Sequence, residues 1–157
     1  MKGSTILFPV VRGQDGRVAR VLLAMKKRGF GAGWYNGAGG KLEAGESYED
    51  AAAREASEEI GVRPRGLAQM MEVKFVFPHK PEWDQLTRVY LCDAWDGDPV
   101  ESDEMKPEWF HVADVPYAKM WPSDDQWVPR VLAGEKLVGE IEFAPDNSAV
   151  RVDLRSA

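Results

Sequence analysis

Cysteine is almost missing from this 157-residue chain. Its one thiol, Cys92, cannot close an internal disulfide, which points to a reducing cytoplasm and leaves stability to packing alone. Cys92 lies in the apolar run RVYLCDAW and reads as core. Histidine is nearly as scarce: His79 and His111 lack ligand spacing, so a zinc centre built on imidazole or thiolate is excluded. Net positive charge is missing too. Twenty Lys and Arg against 26 Asp and Glu leave -6, the wrong sign for a protein that tracks a nucleic-acid backbone. No stretch approaches the roughly 20 apolar residues of a membrane helix. The N-terminal MKGSTILFPVVRGQDG lacks the apolar core and small-residue cleavage site of a signal peptide. No repeat, linker or low-complexity tract interrupts the chain.

What remains is a globular balance, 44% hydrophobic and 29% charged, with enough length for one domain over residues 1–157. TILFPVV and RVARVLLAMK are rich in branched aliphatics and flank the turn RGQDGR, so they read as a hairpin. A glycine-rich loop, KRGFGAGWYNGAGGK, follows. A helix from about Ser47 to Ile60 comes next, with Ser47 as N-cap, Glu49 and Asp50 at the positive end of the dipole, and Gly61 as stop. MMEVKFVF, LTRVYLCDAW and EWFHVADVP read as strands. SDDQWVPRVLAG reads as a second helix, capped by Ser123 or Asp124, and LVGEIEFAPDNSAVRVDLR as a closing hairpin. Strands before and after isolated helices predict an α/β fold, a mixed β-sheet sandwiched between helices.

The first helix carries an oddity. Glu55, Glu58 and Glu59 stand at i, i+3 and i+4, where like charges destabilise a helix by a few tenths of a kcal/mol per pair. Oxygen donors gathered this way suit a hard cation such as Mg²⁺ or Mn²⁺. Arg54 can hold one carboxylate in place, and Gly39, in the glycine loop just before the helix, can offer its carbonyl as a further hard ligand. Gly39 to Val62, GGKLEAGESYEDAAAREASEEIGV, resembles the Nudix box, Gly-x5-Glu-x7-Arg-Glu-U-x-Glu-Glu-x-Gly-U, where U is a bulky aliphatic. Gly40, Glu46, Arg54, Glu55, Glu58, Glu59, Gly61 and Val62 fall at the required spacing; only Ala56 departs, being small. Seven fixed positions coincide by chance roughly once in 10⁸ windows at typical residue frequencies.

The resemblance implies a Nudix fold and a Mg²⁺-dependent hydrolase, with Mn²⁺ as substitute, that cleaves a nucleoside diphosphate linked to another group. It implies that Glu55, Glu59 and the Gly39 carbonyl hold metal, that Glu58 is a further metal or base residue, and that Glu46 supports them from behind. Which carboxylate is the general base stays open. MKKRGFGAGWYNGAGGK, PVESDEMKPEWF and MWPSDDQWVP extend the likeness to the oxidised-purine nucleoside triphosphatases, the MutT-related 8-oxo-dGTPase branch. That branch implies a nucleotide pocket lined by Thr5, Lys26, Phe30, Asn36, Phe75 and Met105, with Glu104 near the metal and Trp121 stacked on the base. It reads the base with two acids directly after Trp-Pro; here Trp121-Pro122-Ser123-Asp124-Asp125 puts serine first. Asp124 is therefore expected to be the principal base-reading acid and Asp125 a lesser one, with Ser123 either a base contact or the helix cap. The implied substrate is a small nucleotide, with no nucleic-acid polymer, membrane or obligate protein partner. Other Nudix substrates (methylated purine nucleotides, dinucleoside polyphosphates, nucleotide sugars) and a non-catalytic nucleotide-binding module are the alternatives.

Overall fold

A computed structural model describes residues 1–157. Its spine is a sheet in which β1 (Lys2–Arg12) pairs parallel with β6 (Gln85–Cys92) and antiparallel with β2 (Val18–Lys26). On the far side of β6 come β5 (Ala68–Val76), β9 (Leu137–Phe143) and β10 (Ala149–Ser156), with β5 and β9 parallel. Beside β2 lie β3 (Tyr35–Asn36) and β8 (Met105–His111). β4 (Arg63–Pro64) and β7 (Trp95–Asp96) form a separate short pair.

Two helices cover the two faces. α1 (Tyr48–Ile60) begins where the Ser47 hydroxyl accepts the Asp50 N–H at 3.1 Å and ends at Gly61, whose φ of +72° is the left-handed stop expected of glycine. Its inner stripe is Ala51, Ala52, Ala56 and Ile60, all buried. The small Ala56 side chain lets the helix lie close to Leu7, Leu22 and Tyr90 beneath it. α2 (Asp124–Leu132) seats Trp127, Val128 and Val131 on the opposite face, against Phe8, Val10, Val73 and Ile141. Alternation along β1 explains this division: Leu7 points to the α1 side and Phe8 to the α2 side. α2 covers only part of its face. Ser4, Ile6, Phe75, Gln85, Thr87 and Phe143 continue the face beyond the helix and line an open cavity.

Three details differ from the sequence reading. The stretch read as a strand from Glu108 begins at Met105, because its pairing with β2 runs from Lys26↔Met105 to Arg20↔His111, and it yields to a 3₁₀ turn at Val112. Pro107 is tolerated in β8 because this strand pairs with β2 alone. The glycine loop contains a short strand, Tyr35–Asn36, and then touches β1 at two bridges, Leu7↔Ala38 and Ser4↔Lys41. Ser123 stands at the N-terminus of α2 but does not cap it with its side chain.

Candidate functional site

The bridges to β1 fix the backbone at Gly39 and Gly40. A Cβ at Gly39 would overlap the Thr5 carbonyl, so that position requires glycine by contact, and one at Gly40 would sit 2.6 Å from Glu55 Oε1 and displace that carboxylate. The Gly39 N–H donates to Glu59 Oε2 at 3.3 Å, while the Gly39 carbonyl accepts no hydrogen bond. The glycine loop is thereby tied to α1 at the acidic cluster.

Arg54 organises that cluster. Its guanidinium donates to both oxygens of Glu46 at 2.7 and 3.0 Å, to Glu55 at 3.0 Å, to Glu58 at 3.3 Å and to the Lys41 carbonyl at 3.2 Å. The bidentate Glu46 contact, helped by the Glu43 backbone, draws that carboxyl down to about 2. Glu59 behaves in the opposite way. It is half-buried, and burial, reinforced by the Glu55 carboxylate and more weakly by Glu104, pushes its carboxyl up to about 8.

The expected convergence of Glu55, Glu58 and Glu59 is therefore looser than their helical spacing suggested. Glu55 and Glu59 form a crowded pair, whereas Glu58 is 61% exposed and turned to Arg54. No three acidic side chains close into a ready cage. Arg54 draws Glu55 and Glu58 toward its guanidinium, and Glu58 is thereby turned away from Glu59. Glu104 is 65% exposed and 3.8 Å from Arg28, yet its charge still reaches Glu59. The donor chemistry nonetheless suits a hard divalent cation: two adjacent carboxylates, one held up by its neighbour's charge, beside an unspent backbone carbonyl.

The cavity beside this cluster has a volume of about 740 Å³ and reaches Gly39, Gly40 and Lys41 at the acidic end. Thr5, Lys26, Phe30, Asn36, Phe75, Met105, Trp121 and Asp124 all line it. Asn36 accepts the Gly37 N–H with its own Oδ1 at 2.8 Å, which leaves its amide N–H₂ group free of the backbone. Trp121 rests between Trp34, at 4.9 Å between ring centres, and Phe30, at 5.3 Å.

The Ser123-Asp124-Asp125 segment separates into three fates. Asp124 is 4% exposed, lines the cavity and accepts the Trp127 indole N–H at 3.1 Å. Burial pushes its carboxyl up to about 8, which favours the protonated form in the empty pocket. Asp125 is exposed and outside the cavity, as its rotation of about 100° along the helix requires. Ser123 is a correction on both readings offered for it. It neither lines the cavity nor caps the helix: its hydroxyl is buried without a hydrogen-bond partner, and its φ is +92°. A left-handed non-glycine residue costs about 1–2 kcal/mol and an orphan buried hydroxyl about 1–3 kcal/mol. Glycine removes both terms and returns about 0.5–1 kcal/mol as chain entropy. Ser123→Gly should therefore raise the melting temperature by at least about 2–4 °C, the shift that matches the low end of this balance, about 1 kcal/mol. A thermal scan with an unchanged or lower midpoint would refute this account of Ser123.

Several cavity residues were not anticipated. Phe77 lies one residue past the end of β5 and continues the alternation set by Phe75, so the period-two pattern could have found it. Trp34, Trp83, Gln85, Phe143 and Asn147 come from loops and strands far apart in sequence, and no local pattern marks them.

Comparison with known proteins agrees with this geometry. Residues 1–131 match the NUDIX domain. The chain is 41% identical over 136 residues to the oxidized purine nucleoside triphosphate hydrolase of Mus musculus, covering 87% of this chain and 86% of that one. It is 43% identical over 124 residues to the protein of the same description from Danio rerio, covering 79% of each. Its fold superposes on the MutT protein of Bacillus halodurans with a TM-score of 0.82 and 26% identity, over 98% of this chain and 97% of that one. The Arg54-centred cluster, the glycines pinned to β1 and these likenesses converge on one conclusion: the chain belongs to the Nudix family and is a Nudix hydrolase.

Proposed function

We propose that this enzyme is a Mg²⁺-dependent pyrophosphohydrolase that converts oxidised purine deoxynucleoside triphosphates, such as 8-oxo-dGTP, to the monophosphate and pyrophosphate, clearing damaged precursors from the nucleotide pool. One observation carries the reading. A single cavity joins an aromatic, polar-ended chamber with Asn36 and Asp124 to the glycine backbone beside Glu55 and Glu59. A purine suits the first end and a triphosphate with its cation the second. The descriptions of the mouse and zebrafish relatives support the same substrate class.

The division of labour follows from the residues. Glu59, Glu55 and the Gly39 carbonyl would hold the metal, which when bound neutralises phosphate oxygens and makes water nucleophilic near neutral pH. Arg54 keeps Glu46 and Glu55 in register by four directed hydrogen bonds with the Glu58 contact included. Lys26 lines the cavity and can meet substrate oxygens as a point charge. Water attacks phosphorus, pyrophosphate departs, and a cluster carboxylate accepts the proton. Asn36 offers both a donor and an acceptor to a purine edge. Asp124, when protonated, can donate through its O–H and accept through its C=O; it can also ionise when the base presents two donors. Trp121 and Phe30 supply π faces for the ring.

A panel of canonical, oxidised and methylated dNTPs with Mg²⁺, its products resolved by chromatography, tests the assignment. 8-oxo-dGTP should give the highest kcat/KM, with monophosphate and pyrophosphate as products. A preference for a dinucleoside polyphosphate, or release of orthophosphate, would replace it.

A further inference from the structure

Only two aromatic side chains are largely exposed, Phe30 at 66% and Trp83 at 39%, and they face each other with ring centres 6.4 Å apart. Both line the cavity, yet they come from different loops: Phe30 from the glycine loop after β2, Trp83 from the connection between β5 and β6. Each heads a row of rings on its own side. Phe30 leads to Trp121 at 5.3 Å and on to Trp34; Trp83 leads to Phe77 at 5.8 Å and on to Phe143. The two rows meet only through Phe30 and Trp83, so this pair joins them into one continuous line of rings.

The two sides are built differently. Trp83 is set firmly: it ends a 3₁₀ turn begun by Pro81, Lys80 Nζ lies 4.3 Å above its ring, and the Asp84 carboxylate accepts the Phe77 N–H at 2.7 Å across the base of the loop. Phe30 sits between Gly29 and Gly31, with Gly33 beyond; all three glycines have φ between +81° and +87°. Backbone hydrogen bonds from Ala32 N–H to Gly29, from Gly33 N–H to Lys26 and from Trp34 N–H to Gly31 hold the segment in tight turns whose left-handed positions favour glycine. Exposed rings gain most from a planar partner, since stacking removes apolar faces from water and satisfies their quadrupoles.

We propose that Trp83 is a further substrate-positioning residue, one jaw of an aromatic clasp whose other jaw is Phe30, and that the clasp retains a planar base in the cavity. This rests on the nucleotide reading above. Trp83 lines the cavity, and its ring contacts are Phe30, Phe77, His79 and Lys80, none of them in the acidic cluster, so it acts on residence of the base and not on bond breaking.

The test uses wild type, Trp83→Ala and Trp83→Phe, with two ligands: 8-oxo-dGTP for turnover and 8-oxo-dGMP for equilibrium binding and dissociation rate. Trp83→Ala should raise KM and the Kd for 8-oxo-dGMP about ten-fold, in line with base–aromatic stacking elsewhere, with faster dissociation and kcat held within about two-fold. Trp83→Phe should recover most of the loss. The melting temperature of Trp83→Ala should stay within a few degrees of wild type, because the ring is already partly in water. Wild-type KM and Kd in Trp83→Ala would overturn the clasp, as would a fall in kcat with KM unchanged, which marks a structural effect. A wild-type protein that neither binds 8-oxo-dGMP nor hydrolyses 8-oxo-dGTP would overturn the substrate reading and the clasp with it.

Discussion

Glu59→Gln should lower kcat by roughly 10²-fold or more with Mg²⁺ saturating, and excess chelator should abolish turnover in the unmodified enzyme until Mg²⁺ or Mn²⁺ is restored. Glutamine keeps the size of the side chain and an acceptor for the Gly39 N–H, so the glycine loop stays tied to α1. What disappears is the second negative charge of the Glu55–Glu59 pair. That pair is unfavourable on its own: burial and Glu55 raise the Glu59 carboxyl to about 8. Such a group prefers its proton more strongly in the folded than in the unfolded chain. Its ionisation therefore lowers stability as pH rises from the ordinary carboxylate range toward 8, and the glutamine variant lacks that loss. Chelated Glu59→Gln should accordingly melt no lower than chelated wild type at pH 8. Near-normal turnover in the variant, or full turnover in excess chelator, would remove Glu59 and the cation from the chemistry.

Asp124→Asn should have two opposite effects. Asparagine still accepts the Trp127 indole N–H, so the start of α2 is preserved. It cannot ionise, and it exchanges one acceptor for a fixed donor. Against a purine edge with two donors this mispairs a buried group, at about 1–3 kcal/mol, or roughly 5- to 150-fold in kcat/KM for 8-oxo-dGTP. Stability should move the other way. The folded Asp124 carboxyl titrates at about 8 against about 3.9 in an unfolded chain. The native state thus binds the extra proton between these values, and wild-type stability declines across that window as pH increases. Asp124→Asn should match wild type near pH 4 and exceed it at pH 8–9 in denaturant titrations. Asp125→Asn, on the exposed side of the helix, should change neither quantity appreciably. A larger kinetic loss at Asp125 than at Asp124 would mean that the loop adopts another register with substrate bound.

The contrast between α1 and the cavity shows what a linear sequence discloses. Ser47, the first-turn acids, Arg54 and Gly61 are neighbours along the chain, so cap, dipole and stop could be read locally, and the helix appears where they predict it. The same locality made Arg54 recognisable as the partner of the acidic run. The orientation of Glu58 was not readable, because it depends on how many carboxylates one guanidinium recruits at once. Ser123 looked like a cap by residue type, yet its backbone is turned left-handed by the chain entering from Trp121. Trp83 and Phe30 meet only because β5, β6 and the glycine loop fold onto one end of the sheet, a distance relation no local pattern encodes.

β1 has a consequence for dynamics. It is hydrogen-bonded in register to β6 from Lys2↔Gln85 to Pro9↔Cys92 and to β2 on its other edge, and it sends Leu7 into one core and Phe8 into the other. No sub-global opening can free β1 without dismantling both helix–sheet interfaces. Its central amides should therefore exchange with deuterium only through complete unfolding, whereas those of β10, which pairs with β9 alone, should exchange through local fraying. Since Thr5 and Gly39–Gly40 are joined to the same strand, nucleotide binding should slow exchange at β1 by the full ligation free energy and leave the β10 edge nearly untouched.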